Sequence, residues 1–187
     1  RIIYTEGNLP YARKTADIQF SLQPLYEEMF GYTMFDTLNV GLVSKNNQIA
    51  NGFSTQFPRN RQINYIGGAM SVDYFSSPSW IETLLYHETC HNYQLNAKDS
   101  DVSRGLHGVF GNGSVFLPWF TVPNILESPF MLEGNAVLNE SWHGNGGRLY
   151  SGRFKAATLQ QAKAGYLTAE RVYNNNLYFL YGSHFYT

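Results

Sequence analysis

The chain has 187 residues, with 13 Lys and Arg against 14 Asp and Glu, and a formal net charge of −1. That length suits one domain with a sizeable core, and near-neutrality without a basic run argues against a nucleic-acid or anionic-membrane partner held by charge. A single cysteine excludes an internal disulfide framework, and no stretch is long and apolar enough to span a membrane as a helix.

Ile18, Leu22, Leu25, Tyr26 and Phe30 recur at helical spacing, which predicts a helix near 15–30 ended by Gly31. Residues 37–44 read as a strand and Lys45-Asn46-Asn47 as a turn. Residues 48–56 and 62–66 read as further strands, separated by Pro58-Arg59-Asn60.

Residues 87–91 are His-Glu-Thr-Cys-His, the HExxH pattern. Two histidines four apart on a helix share a face one turn apart. That spacing lets both imidazoles bind one zinc ion, with the intervening Glu88 placed to take a proton from the attacking water. The context favours a helix. Ser79-Trp80-Ile81-Glu82 has the form of a capping box, Pro78 discourages an earlier start, and Trp80, Leu84, His87 and His91 fall on one face. Cys90 points off that face and reads as a small buried apolar residue. A histidine pair satisfied by ordinary hydrogen bonds is the bland alternative.

A catalytic zinc needs a third protein ligand. The HExxHxxGxxH continuation is absent, since Gln94 stands where its glycine would be. After a long loop containing the Gly-rich stretch 105–113, Ser128-Pro129 reads as an N-cap followed by Pro at the first helical position. The helix it opens carries Glu133 and Glu140 seven apart, on one face of a largely apolar segment. A carboxylate there is costly unless paired or bound to metal; two solvated glutamates is the plainer reading. Gly144-Asn145-Gly146-Gly147 ends this region, and further helices are expected near 154–164, 168–173 and 176–186.

HExxH followed by Leu132-Glu133-Gly134-Asn135-Ala136-Val137-Leu138-Asn139-Glu140 resembles the gluzincin metallopeptidases, including the aminopeptidase N-like and glycyl aminopeptidase-like families, whose second helix carries E-G-x-A-x-x-x-E. Glu133, Gly134, Ala136 and Glu140 match in register. The resemblance implies Zn2+ held by His87, His91 and Glu133, with Glu88 as general base and Glu140 as an acid steadying a ligand histidine. It also implies an oxyanion donor from downstream helices; Tyr178, Tyr181 and His184 are the candidates, none within the family's Tyr-x-Lys-Gly signature. The match covers two short segments. Forty-one residues separate His91 from Glu133, longer than in the aminopeptidase N group. Gly68-Ala69-Met70 lacks the Glu-Asn of that group's substrate-amine loop and is taken as coincidence. His143 is a rival third ligand, off the Glu133 face and expected to be exposed; His107 is expected in a loop.

The order of elements, a small N-terminal sheet, the HExxH helix, the Glu-ligand helix and C-terminal helices, gives an α+β, zincin-like fold. Residues 1–187 are expected to form one catalytic domain, a piece of a longer protein with possible flanking domains. In such folds an edge strand commonly pairs with an extended peptide; residues 62–66 are the candidate, an interior strand the equal alternative. The expected function is zinc-dependent hydrolysis of a peptide or protein substrate. The alternatives are a catalytically degenerate zinc-binding module and a zinc hydrolase of a non-peptide amide or ester. Abundant Asn, Tyr and Gly with few Lys point to an extracytoplasmic, periplasmic or secreted, setting.

Overall fold

The computed structural model of the chain describes residues 1–43, 51–67, 78–98, 100–117 and 129–168. In order they form β1 (Ile2–Tyr4), α1 (Leu9–Phe30), β2 (Asn39–Val43), β3 (Gly52–Thr55), β4 (Arg61–Tyr65), α2 (Trp80–Asn96), α3 (Asp101–Phe110), α4 (Pro129–Trp142) and α5 (Gly152–Lys163). Two 3-10 turns lie at Gly111–Phe116 and Arg148–Tyr150. Among the described residues the chain is α+β, with a four-stranded mixed sheet and five α-helices. Its contacts fall into two units, Arg1–Ala69 with Glu88–Leu126 and Met70–His87 with Glu127–Thr187, so α2 belongs partly to each.

In the first unit the sheet has the order β1-β2-β4-β3. β1, β2 and β4 run parallel and β3 is antiparallel to β4. The parallel β1–β2 pair needs a long crossover, which α1 supplies. This helix starts at Leu9, earlier than the periodicity indicates, because Pro10 sits in its first turn, where a missing N–H leaves no bond unmade. It ends as expected at Gly31, whose φ of 73° is left-handed and whose N–H reaches the Glu27 carbonyl. Ala12, Thr15, Leu22 and Tyr26 form its buried stripe. Tyr26, Phe30 and Tyr32 gather around Tyr93 of α2 with ring centroids 5.5, 5.6 and 5.6 Å away, and the Tyr32 hydroxyl donates to the Tyr93 carbonyl.

The inner row of β4 is polar. Gln62 and Asn64 are fully buried, while Ile63 and Tyr65 on the other face are half-buried. Buried amides are costly without partners, and here they largely satisfy one another. Gln62 Nε2 donates to Asn64 Oδ1 at 3.1 Å, Thr89 Oγ1 to Gln62 Oε1 at 3.3 Å, and Gln19 Nε2 to Thr89 Oγ1 at 2.7 Å. Asn92 and Asn96 both donate to Asn60 Oδ1, at 3.3 and 3.1 Å.

One alternative is decided and one expectation corrected. Of the two readings of 62–66 the interior strand holds and the edge does not: β4 lies between β2 and β3, and the antiparallel edge strand of the described sheet is β3. The Gly-rich stretch after α2 is not all loop. It contains α3, because Ser100 and Ser103 exchange capping hydrogen bonds that offset the weak helix propensity of Gly105 and Gly108. In the second unit Ile81, Leu84 and Leu85 of α2, Ala136 and Val137 of α4, and Phe154 of α5 are buried. The helix expected at 154–164 is α5, whereas the helices at 168–173 and 176–186, the turn at 45–47, Gly68-Ala69-Met70 and Ser128 fall wholly or largely outside the described residues. No helix among the described residues is long and apolar enough to cross a membrane.

Candidate metal centre

Helix α2 begins at Trp80, with the Ser79 carbonyl accepting the first intrahelical bond from the Thr83 N–H at 3.2 Å. It runs unbroken through the HExxH residues because nothing between Trp80 and Asn96 is Gly or Pro. His87 is buried and His91, one turn on, half-buried. His91 Nδ1 lies 2.8 Å from Gln94 Oε1. With Nδ1–H donating to that oxygen, the lone pair of the neutral ring is left on Nε2, the nitrogen a metal would use.

Glu133 of α4 places Oε2 3.2 Å from His87 Nε2. One ligand atom each from His87, His91 and Glu133 lies within 4.8 Å of the others, the one such cluster among the described residues. Two imidazole nitrogens and a carboxylate oxygen are a donor set that zinc accepts, and two ligands each about 2.0–2.1 Å from a tetrahedral ion sit about 3.3 Å apart. The His87–Glu133 separation fits that geometry without rearrangement.

Behind His87 stands a buried carboxylate. Glu140 Oε1 is 2.7 Å from His87 Nδ1, with the Glu140 side chain 1% exposed. Arg148 holds this carboxylate by both oxygens, Nε to Oε2 at 3.0 Å and Nη2 to Oε1. Arg148 reaches back to α4 because the chain folds sharply over Gly147. A side chain there would collide with Ser141 Oγ and approach the Glu140 carbonyl carbon to 3.0 Å, and the φ of 119° itself favours glycine. Leu149 N–H donates to Ser141 Oγ at 3.2 Å and pins the return.

These contacts set the charges of the metal-free chain. Burial pulls the His87 imidazole down, but hydrogen bonds to Glu133 and Glu140 outweigh it and raise its pKa to about 10. Burial pushes Glu140 up, but the Arg148 charge and the bond to His87 outweigh that and hold it at about 2. Without metal, His87 is an imidazolium between two carboxylates, and a metal cation would take the place of its proton.

Glu88 is 5% exposed, and Ser54 of β3 donates to its carboxylate, Oγ to Oε2 at 2.7 Å. Cys90 is fully buried, as its reading as an apolar residue implies. His143 is half-buried rather than exposed and is not part of the ligand cluster. His107 is on α3 rather than in a loop, its Nε2 2.7 Å from Asp36 Oδ2. Tyr178, Tyr181 and His184 lie outside the described residues. Sequence reasoning did not find Arg148 or Ser54. Gly144-Asn145-Gly146-Gly147 was the available signal for Arg148, since a glycine cluster marks a tight return of the chain; nothing in the sequence marks Ser54. No protein-family model, curated protein or solved structure matches the chain.

Proposed function

We propose that the chain is a zincin-like catalytic unit of gluzincin type that hydrolyses peptide bonds with a zinc ion held by His87, His91 and Glu133. The observation that carries this reading is the meeting of those three ligand atoms within 4.8 Å, two of them on α2, the helix that also carries Glu88. Zinc bound there would polarise the scissile carbonyl and make a water acidic near neutral pH. Glu88 accepts the proton of the attacking water and passes it to the leaving amine. Glu140 takes the Nδ1–H of His87, which keeps the Nε2 lone pair directed at the ligand position, and Arg148 keeps Glu140 in place. Gln94 does the same for His91. An extended substrate would pair with β3, the antiparallel edge of the described sheet.

An intact, buried Glu88 favours an enzyme over a structural zinc module, because a purely structural site has no use for a base. Glu88→Gln tests the reading. The variant is expected to bind one zinc per chain and to lose hydrolysis of a quenched-fluorescent peptide library. Near-full activity would remove Glu88 as base and the hydrolase reading with it.

A further inference from the structure

We infer that Ser54 is a positioning residue for Glu88, fixing which carboxylate oxygen faces the reacting water; this rests on the hydrolase reading above. The Ser54 hydroxyl has one proton and three acceptors in reach: Glu88 Oε2 at 2.7 Å, the Glu88 carbonyl at 2.9 Å and Asn92 Oδ1 at 3.4 Å. A charged acceptor at the shortest distance takes the proton, since hydrogen bonds to carboxylates are about twice as strong as those between neutral groups. Oε2 is thereby tied to the sheet and Oε1 is the oxygen left for proton transfer.

The placement of Ser54 is itself determined. It pairs with Gln62 across the β3–β4 ladder and so shares its face. Gln62 is locked to α2 through Thr89, the residue after Glu88. Strand and helix are therefore registered against each other next to the serine that touches the carboxylate. A general base must sit within hydrogen-bond reach of the proton it takes, and anchoring one carboxylate oxygen of a glutamate, whose side chain turns about three bonds, narrows the orientations open to the other oxygen.

The test compares Ser54→Ala, Ser54→Thr and Glu88→Gln as full chains loaded with zinc, on the same peptide library. Ser54→Ala is expected to keep its zinc and its KM while kcat falls roughly ten- to a hundredfold, the worth of one hydrogen bond to a charged group. Ser54→Thr, which keeps the hydroxyl, is expected to restore kcat. A serine that merely clamps the edge strand would lower the melting temperature and leave kcat unchanged. Should Ser54→Ala not fold, the near-isosteric Ser54→Cys supplies the weak donor, and a kcat equal to that of Ser54→Thr would overturn the assignment. If Glu88→Gln is inactive and Ser54→Ala is within twofold of the parent, the positioning role alone is refuted. If Glu88→Gln is active, the hydrolase reading falls and takes this role with it.

Discussion

Arg148→Ala removes the guanidinium that holds Glu140 by both oxygens. The two side chains are 12% and 1% exposed, so solvent does little to replace what is lost. Glu140 keeps its contact with His87, so the cost is that of the charge-assisted hydrogen bonds lost, about 1.5–3 kcal/mol, rather than that of a wholly unpaired buried charge. At about 2–4 °C per kcal/mol for a chain of this size, the melting temperature should fall by roughly 3–12 °C. Zinc affinity should fall as well, because Glu140 then holds His87 less firmly; loss of an outer partner of a metal ligand costs about 10–100-fold. Arg148→Lys keeps the charge but not the two-pronged contact and should lie between. Thermal unfolding followed by circular dichroism and zinc competition against a chelator measure the two effects. A variant that melts within about 2 °C of the parent, with unchanged zinc affinity, would refute the view that Arg148 sustains the site.

Two further outcomes bear on the ligands and their protons. Glu133→Ala should reduce zinc affinity sharply while His143→Ala leaves it unchanged; the reverse would reassign the third ligand. The pKa of His87, raised to about 10 in the metal-free chain, means that zinc must displace a proton, so affinity should rise by about tenfold per pH unit between pH 7 and 9. The same shift has a stability consequence. A raised folded-state pKa contributes stability that is fully present below about 6.5 and is lost as the pH rises through about 10. Calorimetric zinc titrations in buffers of different ionisation heat read the proton directly; no proton released at pH 7.5 would contradict a charged His87.

The parts of this molecule legible in its sequence are those where one local rule decides. The HExxH helix is read from a period of 3.6 and a cap, and α1 ends where Gly31 offers a left-handed turn. Glu133 and Glu140 were marked by a resemblance, and the structure brings one to His87 Nε2 and the other to His87 Nδ1. Other features depend on pairing between distant segments. Ser54 gains its partner only through the β3–β4 register, and Arg148 reaches Glu140 only through the turn over Gly147. Whether 62–66 is an edge or an interior strand stays open in the sequence for the same reason: which strand ends a sheet is set by crossover topology, to which hydrophobic alternation is blind. α3 was missed because two glycines outweighed a serine pair whose reciprocal bonds are visible only in three dimensions.

The amide row beneath β4 bears on how the strand finds its place during folding. A one-residue slip would exchange Gln62 and Asn64 for Ile63 and Tyr65 on the inner face. By hydrophobicity alone the slipped pairing is the better one, since it buries two apolar side chains and frees two amides. Only in the native alignment do those amides meet Thr89 and each other, so the polar ladder discriminates where greasy packing would not. The chain thus forgoes some burial for an unambiguous alignment, and that alignment delivers Ser54 to Glu88.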